Sequence, residues 1–550
     1  MWNISRWLIS LFLLHASDAA NVLVIILMPS ISHQIPALSL SAELLRRGHH
    51  VTYIGTNIIP ELEHSRNCTF VNLSFAYKRM TKAGTSNSTI NFQQKLGRWV
   101  WPDMYRNSFN LAREEIQSDA FRTILRETEA GQRAYDSIII EGKYSLILVP
   151  LLRKTCGSIP IIAFCSLSTD YVIEKALGSI PHLSFMPMVF NGYTDRMSLR
   201  ERIDNWFSTL WLWNSLQSKT FIVAKEILAE NGVHEVSMDE VYRNISLFMI
   251  ASNHMYFYPR MLAPNVVTVG PLHIRDKANV TLTKDVESWL DGAEAGVVYV
   301  SFGSNMKSVS LPEESLMGLV EALSHLAPDY RVLWKWESDE PLPGRAGNIL
   351  TKGWFPQQKV LAHPKVKLFI TQGGLQSFQE AVHFGVPLLG VPFFGDQNLN
   401  TGKISAAGIG LKLDPDHLRN ARMIQEALNQ LLLDTNFVVF ISRYAARMRK
   451  YSEISREFTE RGMAHAVMMV EHITKFGGDH LRPITAEVSY PEFFCFDILC
   501  FAIPVIISLL CVLIKMIKRI NAYSIAMGPH STLKRNTRNG VYPQKLKSTN

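Results

Sequence analysis

"FITQGGLQSFQEA", residues 369–381, decides how this chain is read. A strand-like apolar run, 366–370, ends in Thr371 and Gln372; Gly373 and Gly374 follow, and a helical pattern then reaches Glu380. In an open parallel sheet, ligands bind beyond the carboxyl ends of the strands. Glycine at such an end lets the backbone come close to a ligand. The helix that follows offers unpaired N–H groups and a partial positive charge, an anion site suited to a diphosphate. Taken alone, the glycine pair is equally well explained as a tight strand–helix turn.

The surroundings tip the balance. Upstream lies "GWFPQQKVLAHP", 353–364, where Trp354 offers a flat face for a base and Gln357 can donate and accept. Downstream, Glu380 falls well inside the helix, where a carboxylate can hold two vicinal ribose hydroxyls. "GVPLLGVPFFGDQNLN" then places Asp396 and Gln397 after another strand end, where hydroxyl-rich groups can be gripped. Base stack, ribose acceptor, phosphate cradle and polyol clamp in one short run point to a nucleotide sugar.

Working outward, the body reads as two α/β halves. The first opens with strand 21–28, a loop "PSISHQIP", a helix ending "LLRRGHH" and strand "VTYIG", a βαβ start; "YDSIIIE" and "IPIIAFCS" are further buried strands. The second opens with "GVVYVSFGS", a helix over about 312–325 and "YRVLWKW". It continues through 366–370, the helix 374–384 and "VPLLGV", and helices dominate to about Lys475. Residues 264–290, rich in Pro, Gly and polar groups, look like the connector. Two such halves predict two doubly wound domains with a cleft between them.

Both ends look like addresses. Residues 1–20 carry Arg6, an apolar run and then small residues, a secretory signal cut near Ala19 or Ala20. Near the other end, 498–514 has no charge and is long enough to span a bilayer. From Lys515 onward there are eight Lys or Arg and no Asp or Glu, which puts that tail in the cytoplasm. The tail accounts for the whole formal charge of +8, leaving 48 cationic and 48 acidic residues elsewhere, so the basic balance is a topology signal and no nucleic-acid footprint. Six scattered cysteines exclude a disulfide scaffold and a zinc site. A lumenal or extracellular body agrees with sequons at Asn67, Asn72, Asn87, Asn244 and Asn279.

The run 353–400 resembles the signature of the UDP-glycosyltransferases, and signal, body and anchor resemble the animal membrane-bound members over essentially the whole chain. "TQGGLQSFQEA" is most similar to the arthropod branch. The resemblance implies an α/β GT-B fold, with two doubly wound Rossmann-like domains facing a cleft and a C-terminal single-pass transmembrane helix. It divides the chain into a signal (1–20), an acceptor-binding domain (21–275), a UDP-sugar-binding domain (276–475), a juxtamembrane segment (476–492), the span (493–514) and a basic tail (515–550). Carried over, Trp354 stacks on uracil, Gln357 contacts the uridine, Glu380 binds ribose, Asp396 and Gln397 bind sugar hydroxyls, and Ser304 touches the phosphates. His363, before Pro364, meets phosphate as the family's matching His does or is a turn residue, and Lys335, at a strand end facing the cleft, can neutralise phosphate. Gln372 stands where most members have His, so phosphate charge falls mainly to the helix N-terminus behind Gly373 and Gly374. Gln376 and Ser377 also depart from vertebrate members.

For the first half the resemblance implies a catalytic His, matched by His33 in the loop after the first strand, with an orienting carboxylate at Glu141, where Asp is usual. Histidine suits general-base work, and Asp136 belongs at the far end of that strand. His49 and His50 read as a helix-terminal pair, Arg260 as a partner for a sugar carboxylate if the donor carries one, and Trp206, Trp211 and Trp213 as a helix face, an acceptor wall or a membrane contact. The implied activity is inverting transfer of a hexosyl group from a UDP-sugar to a small lipophilic alcohol or phenol. UDP-glucose is the expected donor and UDP-glucuronate the alternative; the UDP-sugar is a co-substrate, and no metal or other cofactor is expected. A membrane-anchored nucleotide-sugar binding protein without turnover is the rival, and an epimerase or hydrolase a third reading. Family members often reside in the endoplasmic reticulum, which gives a type I topology with a lumenal body, although Lys545 and Lys547 are out of the usual dilysine register. A homo-oligomer is left open.

Overall fold

The computed structural model describes residues 19–83, 98–274, 280–304, 306–432 and 443–526. Residues 1–18 of the expected signal, Asn87, Asn279 and the tail from 527 lie outside them.

Strand β1 (Asn21–Ile25) shows why the sheets form. Leu23 and Ile25 enter one buried layer and Val22 and Val24 the other, the alternation of a strand covered on both faces. Each such side chain contributes about 1.5–3 kcal/mol when fully buried. With β2 (His50–Gly55), β3 (Cys68–Asn72), β4 (Ser137–Glu141), β5 (Ile161–Cys165), β6 (Leu247–Ile250) and β7 (Val266–Thr268), β1 builds a parallel sheet in the order β3-β2-β1-β4-β5-β6-β7.

The second sheet repeats the plan. It contains β8 (Gly296–Ser301), β9 (Tyr330–Lys335), β10 (Ile349–Lys352), β11 (Val366–Thr371), β12 (Leu388–Gly390) and β13 (Gly410–Lys412), ordered β10-β9-β8-β11-β12-β13 and again parallel. Val298 and Val300 of β8 face one core, Val297 and Tyr299 the other. In each sheet the chain order reverses once, between β1 and β4 and between β8 and β11. Crevices for ligands open at the carboxyl ends of these pairs.

Helices α1 (Ile31–Arg46), α2 (Trp101–Gln117), α3 (Leu199–Glu230), α4 (Leu375–Phe384), α5 (Gln397–Ala407) and α6 (Arg443–Phe476) are the ones that matter for the site. Helix α6 joins the halves: Tyr444 packs in the core of the second sheet, while Ala466, Val467, Val470 and Ile473 pack with Val22 and Val24 of the first. The stretch read as second half through Lys475 therefore ends on the first. The connector also differs from its reading, since Val266–Thr268 completes the first sheet; the boundary at 275/276 falls outside the described residues. Both sheets lie in one compact unit that ends at Glu487.

From Val488 a separate unit begins. Its helix α7 (Phe496–Ala526) has 31 residues, about 46 Å at 1.5 Å per residue, and is long and apolar enough to cross a bilayer. It starts three residues later than the expected span and runs on through Lys515, Lys518 and Arg519, so these cations extend the helix and do not begin an irregular tail.

Two sequence expectations change locally. His49 and His50 are no helix-terminal pair. His49 is buried, its Nδ1 accepting the Ala20 N–H at 3.2 Å and its Nε2 3.3 Å from Glu471, and His50 opens β2. On α3, Trp213 is buried whereas Trp206 and Trp211 are exposed. Among the sequons, Asn72 is exposed on the edge strand β3, but both ends of the Asn244 amide are engaged, by Arg153 at 2.9 Å and by the Glu240 carbonyl at 2.8 Å.

Candidate active site

At the crevice of the first sheet, His33 meets Glu141. His33 Nδ1 lies 3.1 Å from Glu141 Oε1, while Oε2 accepts the N–H groups of Leu27 at 3.1 Å and Met28 at 2.8 Å. The carboxylate thus bridges the end of β1 to the imidazole, which is how the longer Glu side chain is accommodated at the end of β4. An ionised carboxylate only accepts, so Nδ1 carries the proton and the lone pair falls on Nε2. Burial pushes Glu141 up, but the His33 hydrogen bond, the His33 charge and the Met28 N–H outweigh it, and its pKa ends below the ordinary value of 4.5. A depressed pKa gives stability that is complete above that ordinary value and lost only as the pH falls through the lower folded value. Asp136 sits at the other end of the sheet, accepting the Asn21 N–H at 2.7 Å.

His33 is not in a loop. It is the third residue of α1, which starts at Ile31 and contains Pro36. Proline lacks the N–H that would bond to the carbonyl four residues back, Ser32. That carbonyl instead accepts Gln376 Nε2 of α4 at 3.1 Å, and the same nitrogen lies 3.3 Å from the Ser166 carbonyl. Gln376, a departure noted in the sequence, therefore ties the second half to the residue beside His33.

At the crevice of the second sheet, Gly373 has φ +81°, and a Cβ there would lie 2.5 Å from Thr401 Cγ2. Gly374 caps α4 without a side-chain hydrogen bond, and the Leu375 N–H of the first turn acts on the Asp396 carboxyl, which lines the cavity. Alanine at 373 is expected to cost about 2–4 kcal/mol, from the left-handed backbone and the overlap together. A lower urea midpoint for the full chain in detergent checks this; an unchanged midpoint refutes it.

Around the turn the amides are locked together. Gln397 Oε1 accepts from Phe393 and Phe394, and its Nε2 donates to Gln372 Oε1 at 3.1 Å. Asn400 Nδ2 donates to the Gly373 carbonyl at 2.9 Å and to Asp396 Oδ2 at 2.8 Å. Burial raises the Asp396 carboxyl above its ordinary value, with Asn400 and the His33 charge pulling it back. Ser304, Gln372, Gly374, Asp396, Gln397 and His33 all line one cavity of about 770 Å³ between the two sheets.

Next to it, Trp354 is 67% exposed, an open face beside the Lys335 ammonium at 5.4 Å. Gln357 accepts the Tyr299 hydroxyl and donates to Ser377 Oγ at 3.0 Å and Glu380 Oε2 at 2.6 Å; Gln358 donates to Glu380 Oε1 at 2.8 Å. Gln358 and Asn400 escaped the sequence reading. Their signals were adjacency to Gln357 and a four-residue helical step from Asp396.

Three expectations do not hold. His363 lies at the amino end of β11, 3.2 Å from Asp291, the opposite end of the sheet from Gly373, so it has no place near phosphate. Lys335 is at the correct end, but its ammonium is already met by the Gly303 carbonyl at 2.7 Å and Glu337 at 3.1 Å, and it pins the Gly303 turn. Arg260 is paired with buried Glu174 at 2.5 Å, so it is not free for a sugar carboxylate.

Two parallel sheets of this order, facing each other over such a cleft, define a GT-B glycosyltransferase. Solved structures agree in fold: the calicheamicin glycosyltransferase CalG4 aligns over 84% of this chain and 99% of its own with TM-score 0.55 and 18% identity. A UDP-glucosyltransferase from Polygonum tinctorium that glucosylates indoxyl aligns over 83% and 99%, with TM-score 0.54 and 16% identity. The model of the family "UDP-glucoronosyl and UDP-glucosyl transferase" matches residues 20–528, and the chain belongs to that family. It is 29% identical to UDP-glycosyltransferase UGT5 of Dactylopius coccus over 74% of this chain and 76% of that protein. It is 25% identical to UDP-glucuronosyltransferase 1A9 of Mus musculus over 88% and 89%.

Proposed function

We propose that this enzyme transfers a glucosyl group from UDP-glucose, with inversion, to a hydroxyl of a small lipophilic acceptor. The observation that carries the reading is that His33, held by Glu141, lines the same cavity as Gly374, Gln372 and Ser304. His33 Nε2 takes the acceptor's proton as the acceptor oxygen bonds to C1 of the sugar. The C1–O bond to UDP breaks, and the leaving diphosphate is held by the first turn of α4, with Ser304 and Gln372 beside it. Trp354 receives uracil, Gln357 the uridine, Glu380 the ribose, and Asp396 with Gln397 the sugar hydroxyls. Engagement of Arg260 by Glu174 favours a neutral hexose over a glucuronate. The chain is read as a type I membrane protein of the endoplasmic reticulum, with a lumenal body, a cytoplasmic tail and glycans on lumenal sequons.

The test is UDP release by microsomes carrying the full chain, offered UDP-glucose or UDP-glucuronate with a panel of phenols and alcohols. Acceptor-dependent release with UDP-glucose is expected. Faster release with UDP-glucuronate reassigns the donor; release without acceptor points to a hydrolase; nucleotide-sugar binding without release from any acceptor supports a binding protein.

A further inference from the structure

Among the described residues that line the cavity, one cation stands without a carboxylate partner. Lys143 follows Glu141 by two residues, in the short turn Gly142–Tyr144 that closes β4, and it lines the cavity together with His33. The other cations of the lining are matched: Arg79 lies 3.0 Å from Glu114, and Arg260 lies 2.5 Å from Glu174. Lys143 has no carboxylate within ion-pair distance among the described residues. Its ammonium contacts soft groups only, Met28 Sδ at 3.7 Å, the Tyr105 ring at 4.6 Å and the Tyr144 ring at 5.3 Å. Glu141, the nearest acid along the chain, already takes three donors from His33, Leu27 and Met28. Burial pulls the Lys143 ammonium down to about 8, with Glu141 opposing, so it is charged for most molecules at neutral pH.

An unmatched ammonium in an apolar wall is costly, and an anion from the ligand removes that cost. The wall around it is aromatic and flat: Trp101 stacks on Phe190 at 4.3 Å and 9°, and Tyr105 lies edge-on to Trp101. The geometry points to an acceptor that is a planar aromatic hydroxy acid, whose hydroxyl faces His33 and whose carboxylate pairs with Lys143. This rests on the transferase reading for the hydroxyl, and it adds the charge and shape of the acceptor.

Binding separates the two. 6-Hydroxy-2-naphthoic acid and its methyl ester are titrated by their own fluorescence into the full chain in detergent, with UDP present and no sugar. At least tenfold tighter binding of the acid is expected from the wild type, corresponding to about 1.4 kcal/mol. Lys143→Met is expected to abolish the acid-over-ester preference and Lys143→Arg to retain it. Equal binding of acid and ester by the wild type overturns the assignment on its own, whatever the variants do, and so does a preference that survives Lys143→Met. Turnover with UDP-glucose is scored separately: a retained acid preference without any sugar transfer refutes the transferase reading and leaves the acid site standing.

Discussion

Alanine in place of His33 is expected to slow acceptor-dependent UDP release by about a thousandfold, inside the 10²–10⁴ range that a positioned general base contributes, while UDP still binds. His33 lies on α1, beside the first sheet, whereas Trp354, Gln357 and Glu380, proposed above to hold the nucleotide, lie beside the second. Glu141→Gln is expected to cost about 10²–10⁴ for a different reason. If the new amide turns its NH₂ to His33, the imidazole must accept at Nδ1, and the proton moves to Nε2, where it faces the acceptor. If the amide turns its oxygen to His33, its NH₂ meets the N–H groups of Leu27 and Met28. The first arrangement protonates Nε2, and the second keeps the base but sets donor against donor at Leu27 and Met28, which disfavours it. The double variant is expected to be no slower than His33→Ala alone, because an orienting group has nothing to act on once the base is gone. Multiplied losses in the double variant, or more than a tenth of wild-type turnover in His33→Ala, would show that proton removal runs through another group.

The legible part of the site was the part written in local chemistry. Gly373 and Gly374 announce a turn at a strand end, and the structure uses them so, with φ +81° at Gly373 and Gly374 capping α4. The repeated parallel topology was visible in long apolar runs such as those of β1, β4, β8 and β11. The strands that escaped are short or partly polar, like CTFVN, ILTK and GLK, and they are strands because a neighbour supplies a ladder. Charge pairing was the least legible feature. Whether Lys335 or Arg260 faces a ligand or a carboxylate depends on residues brought in by the fold, Glu337 in one case and Glu174 in the other. His363 was misplaced for a reason the sequence did contain. It precedes β11 and Gly373 follows it, and six strand residues separate the two by about 20 Å. The Gln376 tie to Ser32 spans 344 positions, and with Pro36 read as part of a loop the sequence carried no sign of the carbonyl it frees.

Glu380→Ala is expected to weaken UDP by about a hundredfold, roughly 3 kcal/mol, the sum of two hydrogen bonds from ribose hydroxyls to a charged acceptor at about 1.5 kcal/mol each. The number alone does not identify the ribose, because Gln357 and Gln358 also donate to this carboxylate, at 2.6 and 2.8 Å, and truncation leaves both amides short of a partner. Comparing UDP with 2′-deoxy-UDP separates the contributions. If the carboxylate holds the ribose, the wild type prefers UDP over the deoxy form by about tenfold, and Glu380→Ala loses most of that preference; the coupling between residue and hydroxyl is then direct. If Glu380 only braces Gln357 and Gln358, the variant weakens both nucleotides in proportion and the preference for the 2′-hydroxyl survives. Glu380→Gln sharpens the distinction. It keeps one acceptor oxygen but brings a third amide NH₂ against the two already present, so it is expected to lose affinity for UDP nearly as far as alanine does. A glutamine variant with wild-type affinity would mean that neither the charge nor the second oxygen is needed, and the ribose would have to be bound elsewhere on α4.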